Sequence, residues 1–195
     1  FSSLPTCEVK YVCDIDESVL TERVSGVESK TGRRPEAIKD FRRALDDKQV
    51  DALVLGTPDH WHALPTIMAC QAGKDVYVEK PDGHNLIEGR TMVAAAKKHN
   101  RIVQLGTQSR SSPHFHAAME YLRAGNIGRP LFAKAWESAQ QGSIGHPPDR
   151  EAPAGIDYDM WLGPAPKRAF HPNRFHSNWR WFFDYGTGDL GNDGV

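Results

Sequence analysis

Residues 52–81 read ALVLGTPDHWHALPTIMACQAGKDVYVEKP, and the fold is decided there. Ala52 to Leu55 is a continuous apolar run, the pattern of a strand buried on both faces. Thr57-Pro58 breaks it. Beyond His60, the residues Leu64, Ile67, Met68 and Gln71 recur at i, i+3, i+4 and i+7, which predicts a helix, and Gly73 supplies a left-handed residue past its end. Val76-Tyr77-Val78 is the next strand. A strand, a crossover helix and a second strand within 30 residues form a βαβ unit with parallel strands.

The same alternation extends outward in both directions. Val9 to Asp14 (VKYVCD) reads as a strand, and Asp16 to Lys30 as a helix capped by Asp16, with Leu20, Val24 and Val27 on one face and Gly32 as its stop. Phe41, Ala44 and Leu45 mark a short helix. Leu86 to His99 is a helix with Ile87, Thr91, Ala94 and Ala95 on one side and Lys97-Lys98 near its negative end, and Ile102 to Leu105 is a further strand. After Gly106 the chain becomes richer in Gly, Pro, His and Trp. Phe115, Ala118, Met119 and Leu122 predict one more helix, stopped at Gly125, and Leu131 to Ser138 (LFAKAWES) reads as a strand of a second sheet. From Gln140 to Val195 the sequence is mostly loop, which assigns it to a larger structure or to a substrate-facing segment. The expected fold is α/β: a doubly wound parallel sheet of Rossmann type over residues 1–107, then the beginning of an α+β unit over 108–195.

Composition narrows the function classes. The chain has 195 residues, with 24 Lys plus Arg against 25 Asp plus Glu, so no global field draws it to nucleic acid or acidic lipid. No apolar run reaches the roughly 18 residues of a bilayer span. Three cysteines, an odd number without C-x-x-C spacing, argue against a disulfide scaffold or a cysteine zinc site. No basic stretch followed by an apolar one opens the sequence, so any targeting segment is expected outside it; a cytoplasmic location is expected, with an exported form left open.

Several residues are candidates for chemistry. In a dinucleotide-binding unit an acidic residue ends the second strand, roughly 20 residues past a glycine-rich turn. Asp14 suits that place. No glycine precedes it, so the first strand and its phosphate-binding turn are expected upstream of Phe1, which leaves two strand edges facing a gap in the order 3-2-1-4-5-6. Thr57-Pro58-Asp59-His60-Trp61-His62 and Glu79-Lys80-Pro81 fall at the carboxyl ends of adjacent strands, the rim where open α/β sheets bind ligands. A lysine there, desolvated beside a cationic nicotinamide, is suited to exchange a proton with a hydroxyl, and Glu79 to orient it. Arg174, His176, Asn178, Trp179, Arg180 and Trp181 form either a sugar-binding wall or simple loop packing. The pairs His60/His62 and His114/His116 admit a zinc site, but residues two apart on a helix diverge, so no metal is expected. Glycines 186, 188, 191 and 194 do not follow a strand and are not a phosphate loop.

The ordered set of motifs resembles the Gfo/Idh/MocA oxidoreductases. Thr57 to Pro81 is similar to that family's strand, helix, strand and E-K-P turn; Ile102 to Arg110 (IVQLGTQSR) to its last cofactor-domain strand; and Ala124 to Pro130 (AGNIGRP) to the start of its second domain. DYDMWLGPAP from Asp157 and NWRWFFDYGTGDLGNDGV from Asn178 resemble a branch with a long tryptophan-rich insert. The resemblance implies a Rossmann domain binding NAD, with NADP possible, followed by an open-faced antiparallel sheet for substrate binding and oligomerisation. It implies Asp14 at the adenosine ribose, Thr57, Pro58 and His62 along the nucleotide, and Glu79 and Lys80 at the nicotinamide ribose, with Lys80 also on the reacting hydroxyl and a cis Lys80-Pro81 bond. With no Arg or Lys near Asp14 in sequence, NAD is favoured. The family's aspartate is replaced by Asn192, which can hydrogen-bond a sugar but cannot take a proton, and its histidine would fall at position 196. The expected function is oxidation or reduction of a secondary alcohol of a carbohydrate or polyol by a homo-oligomeric enzyme. The competing readings are a redox-neutral sugar enzyme that uses bound NAD transiently, a non-catalytic dinucleotide- or sugar-binding module, and a zinc hydrolase.

Overall fold

Alternating strands and helices organise the first half of the chain, seen in a computed structural model that describes residues 2–136 and 142–193. Strand β1 (Tyr11–Cys13) leads into α1 (Glu17–Thr31), whose N-terminus is capped by the Asp16 carboxylate accepting from the amides of Ser18 and Val19. Leu20 and Val24 are its buried face, and Gly32, at φ 72°, ends it. A three-residue strand β2 (Glu36–Ile38), too short for a periodic signal, pairs in parallel with β1. Helix α2 (Arg42–Asp46) and strand β3 (Ala52–Leu55) follow, then a 3-10 turn at Asp59–Trp61, helix α3 (Ala63–Gln71) and strand β4 (Asp75–Glu79). Helix α4 (Leu86–His99) and strand β5 (Val103–Gly106) complete the unit.

Among the described residues the named strands pair in parallel, in two separate sheets of order β1-β2 and β3-β4-β5. The break falls between β1 and β3, where the order 3-2-1-4-5-6 puts the strand expected upstream. It also corrects the expectation that β3 is buried on both faces: Leu53 and Leu55 are buried, whereas Val54 is 56% exposed and lines a cleft. The main core packs Leu45, Leu53, Leu55, Val76, Val78 and Met92 with Ala63 and Ala69 of α3, each large aliphatic side chain contributing roughly 1.5–3 kcal/mol.

Two helix faces differ from the sequence reading. On α3 the deep residues are the small ones, Ala63, Thr66, Ala69 and Cys70, which let the helix approach the sheet, while Leu64 stays exposed. On α4 Met92 and Ala95 are buried and Ile87, Thr91 and Ala94 face outward. Ile67 and Met68 of α3 pack against the core and Ala95 lies on the buried face of α4, so the docking faces overlap the expected stripes without coinciding with them.

After β5 comes α5 (Pro113–Arg123), followed by Gly125 at φ 77°. Its apolar residues Phe115, Met119 and Leu122 are exposed. The strand expected at 131–138 is not formed over Leu131–Trp136, which carry no ladder hydrogen bonds, and the remainder of that stretch lies outside the described residues. The second sheet is therefore absent among the described residues. Residues 142–193 pack through α6 (Tyr158–Leu162), a 3-10 turn at Asn178–Trp181 and α7 (Gly188–Asp193). Their core is aromatic: Trp161, Leu162, Trp179 and Tyr185, with Ile15, Tyr158, Phe175 and Phe182 packed against them.

This segment is tied to the parallel-sheet half by specific bonds. The amides of Glu17 and Asp157 donate to Gly155 and Ile15 carbonyls at 3.1 and 3.0 Å, beside an antiparallel bridge between Asp16 and Ile156. The Trp61 indole donates to the Trp161 carbonyl at 2.9 Å, and His60 Nε2 meets the same carbonyl at 2.9 Å. Gly163, at φ 48°, admits the Trp61 ring; a Cβ there would lie 2.1 Å from it. No helix among the described residues is long and apolar enough to cross a membrane.

Candidate active site

The carboxyl ends of β1, β3 and β4 open onto one cleft of about 830 Å³, whose far wall is the aromatic segment. Asp14 stands at one end, just past β1, its carboxylate accepting from the Asp16 amide at 3.0 Å. Thr57 and Pro58 line the middle, and Glu79 and Lys80 the other end. The backbone is turned at that end by a cis Lys80-Pro81 bond.

Lys80 is the polar centre of this end. Its ammonium donates to the backbone carbonyl of Asn192 at 2.6 Å and to the Asn192 side-chain oxygen at 2.9 Å. The Arg180 guanidinium approaches the same side-chain oxygen at 3.4 Å and lies over the Trp179 ring, 4.4 Å from its centroid. Trp179, Arg180 and Asn192 all line the cleft, with Trp161 and Phe175 adding apolar wall. An aromatic face beside cationic and amide donors suits a polyhydroxylated ring, which offers CH faces and hydroxyl edges.

Near Asp14, His176 Nε2 lies 3.1 Å from the Asp16 carboxylate. Burial pushes the Asp16 carboxyl up, but the Ser18 hydroxyl, the Ser18 and Val19 amides and His176 together hold it below the usual range. The helix cap is thereby kept ionised, and the aromatic segment is fastened at the Asp14 end of the cleft as well as at the Lys80 end.

A family model described as the oxidoreductase family, NAD-binding Rossmann fold, matches residues 5–107, and one described as the C-terminal alpha/beta domain of the same family matches residues 132–195. The chain belongs to the Gfo/Idh/MocA oxidoreductase family. It is 32% identical over 102 residues to scyllo-inositol 2-dehydrogenase (NAD(+)) of Bacillus subtilis, covering 52% of this chain and 30% of the relative. It is 34% identical over 92 residues to levoglucosan dehydrogenase of Pseudarthrobacter phenanthrenivorans, covering 47% and 24%. Among solved structures, myo-inositol 2-dehydrogenase from Lactobacillus plantarum superposes with a TM-score of 0.56 at 25% identity, over 64% of this chain and 36% of that one. A levoglucosan dehydrogenase complex with NADH and levoglucosan gives 0.53 at 27% identity, over 62% and 31%. The chain thus spans well under half the length of these relatives.

The cofactor class of this Gfo/Idh/MocA chain is NAD, and the residues fit it at both ends. Asp14 offers a carboxylate to ribose hydroxyls. Lys80 and Glu79 line the opposite end of the same cleft. One sequence inference is corrected: Lys39 and Arg23 are remote from Asp14 in sequence, yet both line the same cleft. Lys39 is ion-paired with Glu17.

Other expected site residues are placed elsewhere. His62 is fully buried beneath the rim, its ring nitrogens against the carbonyls of Pro81 at 2.5 Å and Thr57 at 2.8 Å, so it braces the two rim loops rather than facing the nucleotide space. Arg174 points away from the cleft, donating to the Ala169 carbonyl at 2.6 Å with its guanidinium over Phe182. Asn178 begins a 3-10 turn and does not line the cleft. His60 faces the Trp161 and Tyr185 carbonyls, burial holding its imidazole below the usual range, and no group of three metal-ligating side chains is assembled among the described residues. Sequence reasoning missed Phe175, Trp161 and Lys39 as cleft residues, and placed Asp59 on the rim without its partners Thr187 and Asn192.

Proposed function

We propose that this chain forms the cofactor and catalytic rim of an NAD-dependent oxidoreductase acting on a secondary alcohol of a carbohydrate or polyol. The observation that carries the reading is Lys80: an ammonium on the strand rim, flanked by Glu79, bonded to Asn192, and opposite the Trp179–Arg180 stack in the cleft that also holds Asp14. A nicotinamide bound at this end supplies the hydride acceptor. Lys80 holds the substrate hydroxyl and exchanges its proton, Asn192 and Arg180 bond neighbouring hydroxyls, and Trp161 and Phe175 exclude water. Thr57, Pro58 and Glu79 line the path of the nucleotide, and Asp14 selects the unphosphorylated ribose. Residues 108–195 begin the substrate-binding and oligomerisation unit in this reading.

The test is Lys80→Ala, assayed by NADH formation across a panel of inositols, pyranoses and anhydrosugars. Turnover should fall by about two orders of magnitude or more, with nucleotide binding retained. A loss below tenfold would remove Lys80 from the chemistry. Product formation without net NADH would favour the redox-neutral reading, and unchanged physiological output without Lys80 would favour a binding module.

A further inference from the structure

Asp59 is 1% exposed, yet no role in the reading above depends on it. It sits in the 3-10 turn after β3, and both of its oxygens are engaged. Oδ2 accepts from the Thr187 amide at 3.2 Å and the Thr187 hydroxyl at 2.9 Å, while Oδ1 accepts from the Asn192 side-chain nitrogen at 3.2 Å. Gly191 makes this possible, because a Cβ there would lie 2.6 Å from the Thr187 side chain that reaches Asp59.

A carboxylate only accepts hydrogen bonds. The edge of the Asn192 amide that faces Asp59 must therefore be its NH₂, and the planar amide then turns its oxygen the other way, toward the Lys80 ammonium at 2.9 Å. Reversing the amide would set NH₂ against Asp59's competitor, the ammonium, and oxygen against carboxylate, which is repulsive on both sides. We propose that Asp59 is a positioning residue: it fixes the polarity of the Asn192 amide and, through it, the side-chain contact that orients the Lys80 ammonium beside its bond to the Asn192 backbone carbonyl. The importance of that contact for turnover rests on the function proposed above; the coupling itself does not. A corollary is that an acidic residue at 192 is incompatible with Asp59, since it would place two carboxylates face to face in a buried site.

The arrangement has a mirror form that preserves every bond: an amide at 59 donating to a carboxylate at 192, whose second oxygen accepts from Lys80. The experiment is the cycle Asp59→Asn, Asn192→Asp and the double variant. In the chain without substrate, the Lys80 ammonium is followed by proton–nitrogen NMR, with the thermal midpoint of each variant measured alongside. A slowly exchanging Lys80 signal is expected in the unaltered chain and the double variant, and its loss in Asp59→Asn. In the active enzyme, Asp59→Asn and Asn192→Asp should each lower kcat at least tenfold with the KM for NAD within twofold, and the double variant should return to within about threefold. A double variant no better than the worse single variant, or an Asp59→Asn protein that keeps its Lys80 signal, overturns the proposal. A purely structural Asp59 would lower the thermal midpoint in all three without restoring the signal. If the NMR cycle closes while Lys80→Ala leaves turnover intact, the coupling stands and the catalytic reading of Lys80 falls.

Discussion

The two cores of this molecule are built by different rules. Around β3, β4 and β5 the packing is aliphatic, and neighbours in space are largely neighbours within one βαβ unit. Around Trp161 and Tyr185 it is aromatic, and its position is tied by side chains of the parallel-sheet half: His60, Trp61, Asp16 and Asp59 reach 101, 100, 160 and 133 residues along the chain. The first core is a structure in its own right, whereas the second is a wall hung on the rim of the first.

That contrast is broken most directly by Trp161→Ala. Truncating this buried ring should cost about 3–5 kcal/mol, and hydrogen exchange should show the loss confined to residues 142–193, with the amides of β4 still protected. Loss of protection in both regions would mean a single cooperative core. Leu53→Ala is the converse, expected to cost about 3 kcal/mol and to release both regions together, because the wall hangs from the strand it weakens. A pH series sharpens the comparison with a smaller effect. Burial holds His60 below its ordinary value, so the unfolded chain takes up the proton first. Stability from this site is complete above about pH 6.5 and is lost as pH falls toward the depressed value, and His60→Gln should flatten that part of the melting curve. The least effect belongs to Tyr185→Phe. The Tyr185 hydroxyl is buried without a hydrogen-bond partner among the described residues, so its removal should leave the melting temperature unchanged or raise it, by up to about 1 kcal/mol of stability.

The same division explains how much was legible in the sequence. The βαβ core, the Asp16 cap, the position of Asp14 and the rim lysine are local signals, each carried by a few adjacent residues, and all were readable. Which face of α3 and α4 docks was not, because small residues set the approach distance there while the larger apolar ones at Leu64 and Ile87 remain exposed. β2 has three residues, too few for alternation to register. Leu131–Trp136 carries strand-like composition, yet composition without a partner edge makes no ladder. In the wall, Trp179, Arg180 and Asn192 were readable as types but Arg174 and Asn178 were not separable from them, since loop residues have no period that says which way they point. Asp59 was read only as part of a motif: its partners at Thr187 and Asn192 are 128 and 133 residues away.

The Trp161 carbonyl, which accepts from Trp61 and faces His60, also bears on how ligands arrive. Swinging the wall away from the rim would mean surrendering these adjacent contacts at once, along with the ring packed on Gly163, each hydrogen bond worth about 1 kcal/mol. The cleft mouth is therefore a fixed aperture and not a jaw.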